Sequence, residues 1–169
     1  DKEFTANPKF DRVPYAFPFR TKSGKLDFVL ISVHLHPGDG TKNRKRRYDE
    51  LHSIYSWIDK KNSVEKDFIV LGDMNIEDKD ELDALKIPNY TSLNSDCVRT
   101  NTLINYDVGN GAKPYDHVLY NITYTKNEID MSYGFKVIDL IKAMKPKWSG
   151  PGAYPGDPYD HDKFRKYYS

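Results

Sequence analysis

Cysteine is almost missing from this chain. Cys97 is the only one among 169 residues, which excludes an internal disulfide and a cysteine-based zinc site. Long hydrophobic runs are missing too: no stretch approaches the ~18 consecutive apolar residues that span a bilayer. Charge of one sign is not in excess either. Lys and Arg number 26 against 25 Asp and Glu, a formal net charge of +1, so no global field recruits nucleic acid or membrane. No signal peptide is recognisable and the chain begins at Asp1, as expected of a processed or excised piece; the compartment stays open. The local exception is Lys42-Asn43-Arg44-Lys45-Arg46-Arg47. This basic run reads either as the solvated first turn of a helix or as support for a nucleic-acid contact.

What the chain does have is aromatic bulk. Hydrophobic content is a low 38%, but 14% of residues are aromatic, 13 of them Tyr, and each buries a large area. The length suits one domain with a real core. Pro14 to Phe19 and Leu26 to Leu35 flank the turn-forming Thr21-Lys22-Ser23-Gly24-Lys25 and predict an antiparallel hairpin. The second of these strands is apolar on both faces, which places it inside a covered sheet. Residues 43–61 predict a helix with Tyr48, Leu51, Tyr55 and Ile58 as its apolar stripe. Asp67 to Leu71 predicts another buried strand ended by Gly72, residues 80–85 a short helix, Asp116 to Ile122 a third strand and Phe135 to Ile138 a fourth. Residues 145–159, rich in Pro and Gly, predict a loop.

Three short segments put polar groups at strand ends: Ser32-Val33-His34, Gly72-Asp73-Met74-Asn75 and Tyr115-Asp116-His117. If the strand opened by Asp116 runs antiparallel to its neighbour, His34, Asp73 and Asp116 meet on one rim. Rim groups on a rigid sheet are where catalytic residues are commonly held. Hydrolysis of a phosphate ester needs a group to position water and fixed donors for the charged oxygens, and an acid, an amide and imidazoles supply these around a cation. Each segment alone also reads blandly, since a lone strand-end His is ordinarily structural and Gly-Asp-x-Asn is a reasonable turn.

The order of the segments resembles the endonuclease/exonuclease/phosphatase superfamily, with Phe28 to Pro37 similar to its His-bearing strand. Ile69 to Asn75 is similar to its Gly-Asp-x-Asn motif, and Pro114 to Val118 to its Tyr-Asp-x-Ile motif. Phe10-Asp11-Arg12-Val13-Pro14 resembles the entry segment of deoxyribonuclease-like members, and Arg47 with Glu50-Leu51 fits the intervening helix. The resemblance implies an α+β chain that is part of a four-layer α/β-sandwich, with a mixed, mostly antiparallel sheet and flanking helices. It implies a metal-dependent phosphoesterase, nuclease-like before phosphomonoesterase on a sugar, inositol or lipid phosphate, using Mg²⁺, with Mn²⁺ or Ca²⁺ as alternatives; the second reading is a non-catalytic fragment that keeps the fold and uses the rim for binding. Asp73 would orient or deprotonate water, Asn75 hold the phosphate, His34 donate to its oxygens and Asp116 pair with a second His. Asp73 and Asn75 would form part of the metal site. Arg12, Thr100, Asn101 and Thr102 would touch substrate phosphates, and His36 takes no role from the family. The implied partners are nucleic acid or a phosphorylated small molecule.

Two departures qualify this. The family's amino-terminal half, with its metal-binding Glu, has no counterpart before Phe10. The closing Ser-Asp-His motif is either Tyr159-Asp160-His161, which lacks the Ser, or begins at Ser169, which is the favoured reading. The expectation is a partial domain over residues 1–169, inactive alone, with an apolar sheet face that the missing half, in the same or another chain, would cover.

Overall fold

The computed structural model describes residues 10–85, 87–101 and 112–138. Those up to Phe135 belong to one compact unit; a second unit, Lys136–Ser169, lies almost wholly outside the described residues, as do the loop expected over 145–159 and the alternatives for the closing motif.

Five strands form one sheet in the order β1-β2-β3-β5-β4: β1 Tyr15–Arg20, β2 Asp27–His34, β3 Phe68–Asp73, β4 Tyr90–Ser92 and β5 Asp116–Asn121. The sheet is mixed and mostly antiparallel. Only β2 and β3 run parallel, joined by the helix α1, Thr41–Lys61; β1 pairs with β2, and β5 with both β3 and β4, antiparallel. A parallel neighbour requires such a crossover. With the short helix α2, Lys79–Ala84, this is an α+β fold.

Side-chain alternation divides the sheet into two faces. On one, Ile31, Val33, Phe68, Val70 and Leu119 are buried against Leu51, Ile54, Tyr55 and Ile58 of α1, with Met74, Ile76 and Leu85 closing the core. The buried stripe of α1 also includes Arg47 and Glu50, whereas Tyr48, expected in that stripe, is exposed and lies against the His52 ring at 4.0 Å. On the other face Phe17 and Phe19 are exposed, and Leu30, Ile69, Leu71 and Val118 are only half-buried. The sheet is therefore packed on one side and half-open on the other, and the expectation that β2 is covered on both faces fails for Leu30 and Ser32. Pro18 sits on the edge strand β1, where a missing N–H is tolerated.

Two further expectations change. Residues 135–138 form no strand, and Ile138 is exposed: aromatic and β-branched content alone does not make a strand. The strand β4, only Tyr90-Thr91-Ser92, exists through its ladder with Tyr120 and its neighbours and carries no alternation of its own.

The tightest point is Gly72. It lies opposite Val33 at φ 141°, and a Cβ there would sit 2.0 Å from the Val33 carbonyl oxygen. Both the backbone conformation and the space require glycine. Gly72→Ala is expected to cost more than about 3 kcal/mol, read as a lower urea midpoint or as loss of soluble protein. A loss under about 1 kcal/mol would show that β2 and β3 separate without penalty.

Candidate active site

The rim is built by strand register. His34, the last residue of β2, pairs with Asp73, the last of β3, and Asp73 pairs with Asp116, the first of β5. Paired residues share a face, so the three side chains form one row across three strands. β5 does run antiparallel to β3, which is what brings Asp116 to this end. His34 Nε2 lies 3.7 Å from Asp73 Oδ2, and both side chains are partly exposed. The ladder continues one step past the strands, with the Leu35 amide donating to Asp73 O at 2.9 Å and the Met74 amide to Tyr115 O at 2.7 Å.

Asn75 is fixed immediately behind this row. The Asp73 carboxylate accepts from the Asn75 amide at 3.0 Å, an Asx turn that supports the left-handed φ of 51°. The Asn75 side-chain nitrogen donates to Leu35 O at 2.9 Å, and the residue is nearly buried. Its second N–H and its Oδ1 are what remain for a ligand.

Helix α1 anchors both strand-end loops. Arg47, fully buried, donates from Nη1 to the His36 and Gly38 carbonyls and from Nε to Glu81 Oε1 at 2.7 Å. Glu81 Oε2 accepts from the Glu77 amide at 3.0 Å. Glu50 accepts from the His36 amide at 2.8 Å and more loosely from that of Asp11. Burial pushes the Glu50 carboxyl up, against these two amides, which hold it down. Arg44 reaches Glu77 and Asp78 at 3.1 and 2.7 Å. Asp78 also caps α2; partial burial opposes ionisation, yet the Glu81 amide and Arg44 hold its carboxyl below the usual range.

The cations of the basic run have partners within the chain. Arg44 binds Glu77 and Asp78, Lys45 binds Asp49, Arg46 binds Asp11 and Arg47 binds Glu81. Cations crowd the amino-terminal half of α1, where the helix dipole repels them, and carboxylates from elsewhere in the chain offset that repulsion. Four of the run's five cations are thus paired within the chain.

Thr100 and Asn101 have structural partners. Thr100 Oγ1 accepts from the Asp116 amide at 2.9 Å, and Asn101 Oδ1 accepts from the Lys113 amide at 2.6 Å. Together they tie residues 100–101 to residues 113–116 and so set where β5 begins. Thr102, Asp160 and His161 lie outside the described residues. Arg12 is exposed. Its neighbour Asp11 contacts His36, two residues beyond His34.

Residues that sequence reasoning undervalued are Asp11, His36 and Glu81. The available signal was polar: Arg47, Glu50 and Ile54 recur at helical spacing, which marked a buried face carrying charge.

His117 is next to Asp116 but faces the core. Burial pulls its ring down to about 4, with the Pro114 carbonyl and the Asp116 charge opposing, and its Nδ1 lies 2.9 Å from Ser92 Oγ. It is therefore a neutral core residue and not part of the row. The burial of Tyr115, followed by the nearby Glu77 and Asp73 charges, raises its phenol.

No protein-family model matches the chain, and neither does any curated protein sequence. Among solved structures it is similar to a mannosyl-6-phosphatase from Bacteroides thetaiotaomicron VPI-5482, at 15% identity and a TM-score of 0.49, over 66% of this chain and 43% of that one. It is similar to an endonuclease/exonuclease/phosphatase family protein from Bacteroides thetaiotaomicron at 15% and 0.47, over 64% of this chain and 40% of that one. It is also similar to truncated Caenorhabditis elegans TDP2 at 16% and 0.49, over 70% of this chain and 49% of that one. The chain spans less than half the length of each of these three structures.

An unfolded chain protonates the His117 ring near pH 6.5, the folded one only near 4. Stability from this residue is thus intact above about pH 6.5 and declines as pH falls towards 4, by about 3 kcal/mol at most. Urea denaturation across that range checks this: the fall should shrink by most of that amount in His117→Asn.

Proposed function

We propose that this chain is the carboxy-terminal part of a phosphoesterase domain of the endonuclease/exonuclease/phosphatase type and that its rim acts on a phosphate ester. The observation that carries the reading is the row His34, Asp73, Asp116 across three paired strands, with Asn75 anchored behind it. In this reading Asp73 orients the attacking water and takes its proton. The water oxygen bonds to phosphorus as the ester P–O bond breaks. His34 and Asn75 donate to the phosphate oxygens as charge builds on them. Asp116 awaits an imidazole partner, which would protonate the leaving oxygen.

The described residues do not by themselves fit a metal ion. No three His, Cys, Asp or Glu side chains among them converge on one point. Asp73 Oδ1 is engaged by the Asn75 amide. Hard-oxygen coordination of the Mg²⁺ type would need further donors, such as the Glu that the resemblance puts in the other half of the domain. The half-open face bearing Phe17, Phe19, Leu30 and Leu71 is the surface that half would cover.

Two substrate classes remain. A nucleic-acid phosphodiester is supported by the resemblance of the entry segment Phe10 to Pro14 to deoxyribonuclease-like members, with Arg12 exposed. A phosphorylated sugar, inositol or lipid headgroup is favoured by one observation, the consumption of Arg44 to Arg47 in internal ion pairs.

The test takes the chain joined to its natural flanking sequence and assays it on duplex DNA, single-stranded DNA, RNA and a panel of phosphomonoesters, with Mg²⁺ and with chelator. The expected result is metal-dependent hydrolysis of one class, lowered at least about 10³-fold by Asp73→Asn. Full activity in that variant would remove the rim from the chemistry. The present chain alone is expected to turn over none of these substrates, and robust turnover by it would overturn the half-domain reading.

A further inference from the structure

Glu81 lies on α2, away from the strand ends and outside every segment that carries the resemblance. It is nonetheless buried, with 4% of its surface exposed, and its two carboxylate oxygens hold different parts of the chain. Oε1 accepts from Arg47 Nε at 2.7 Å, and Oε2 accepts from the Glu77 amide at 3.0 Å, with Arg44 Nε 3.8 Å from the same oxygen. Its own backbone is fixed by the cap of α2, where Asp78 Oδ1 accepts from the Glu81 amide at 2.8 Å. A carboxylate engaged at both oxygens thus joins α1 to the loop after β3.

That loop carries Asn75. The Asn75 side-chain nitrogen donates to Leu35 O at 2.9 Å, and the next carbonyl along, His36 O, accepts from Arg47 Nη1 at 3.2 Å. Two residues beyond Asn75 is the Glu77 amide that Glu81 holds. The contacts close a ring: Asn75 to Leu35, His36 to Arg47, Arg47 to Glu81, Glu81 to Glu77, and back along the backbone to Asn75. Met74 and Ile76, on either side of Asn75, are fully buried, so this stretch cannot shift without disturbing the core. Asn75 itself keeps a left-handed φ of 51°, a conformation that persists where the surrounding structure holds it.

We propose that Glu81 is a positioning residue: through the Arg47 guanidinium and the Glu77 amide it fixes the aim of the Asn75 side chain at the reacting phosphate. This rests on the phosphoesterase reading of the rim and adds to it a determinant of rate that lies off the rim. Asn75 donates to the phosphate oxygens as charge builds on them, so an error in its aim lowers kcat and leaves KM nearly unchanged. Glu81→Asp keeps the charge beside Arg47 and withdraws the carboxylate by one C–C bond, about 1.5 Å. A displacement of that order at a reacting group costs up to about 10²-fold in rate.

The experiment uses the chain joined to its natural flanking sequence, with Mg²⁺ present. It compares wild type, Glu81→Asp, Asn75→Ala and the double variant at equal concentrations of folded protein. Expected are a fall in kcat of at least about tenfold in Glu81→Asp with KM within about twofold, and no further fall beyond about twofold when Glu81→Asp is added to Asn75→Ala. A purely structural role predicts otherwise, since it lowers the folded fraction and leaves kcat per folded molecule unchanged. An unchanged kcat, a loss carried by KM, or full additivity with Asn75→Ala would overturn the proposal. A second measurement needs neither turnover nor a variant that folds. Hydrogen exchange is followed by NMR in the wild type at the Asn75 side-chain amide and at the Glu77 backbone amide. A ring that opens as one unit gives the two groups protection factors within about tenfold of each other, and a wider gap refutes the coupling. If no substrate is hydrolysed but the two factors agree, the phosphoesterase reading fails and the hold of Glu81 on Asn75 stands.

Discussion

The buried pair of Arg47 and Glu81 is the contact on which the rim depends. Arg47 has no solvent exposure and Glu81 almost none, so both charges have left water at a cost of several kcal/mol each. Their 2.7 Å contact offsets part of that cost, and backbone groups offset more, the His36 and Gly38 carbonyls on Arg47 and the Glu77 amide on Glu81, while Arg47 Nη2 is buried without a hydrogen-bond partner among the described residues. Such a pair is a poor source of net stability. Its effect here is geometric, because it ties the loop after β2 to the loop after β3. Those two loops begin at His34 and at Asp73, and their separation is set by one guanidinium and one carboxylate.

Around that tie the chain uses its charges inwardly. A helix that begins with Lys42, Arg44, Lys45, Arg46 and Arg47 opposes its own dipole, and an isolated peptide of this sequence would fray. In the folded chain Asp11, Glu77, Asp78 and Glu81 come to that end from three other segments. The helix start, the entry to β1 and both rim loops are therefore stabilised together.

Legibility followed the range of the interactions. The runs Phe28 to Val33 and Phe68 to Leu71 announced strands because burial imposes a pattern on neighbours in sequence. The helix was visible over 43–61 for the same reason, and so was the rim position of His34 and Asp73 at the ends of those runs. The antiparallel course of β5 could only be posed as a condition, since pairing is decided by partners far along the chain. Arg44 and Arg47 lie 33 to 34 residues from the carboxylates they bind, and no local pattern reports that. Thr100 entered as a substrate contact only through the resemblance, and the partner its Oγ1 has, the Asp116 amide, is a backbone group that no sequence displays. The strand β4 was missed because three residues cannot show a period.

The pairing of Asp73 with both His34 and Asp116 carries a consequence for how such a rim can change over time. In a sheet, moving a strand by one residue turns every side chain on it to the opposite face. A single inserted or deleted residue between Phe68 and Gly72 would drive Asp73 towards the helix layer and swing Val70 out, losing the core and the rim in one event. Loops beyond the strand ends are free of that coupling. The rim's chemistry is therefore inherited as a matter of strand length, protected by whatever protects the core, while the loops around it remain open to variation in what they recognise.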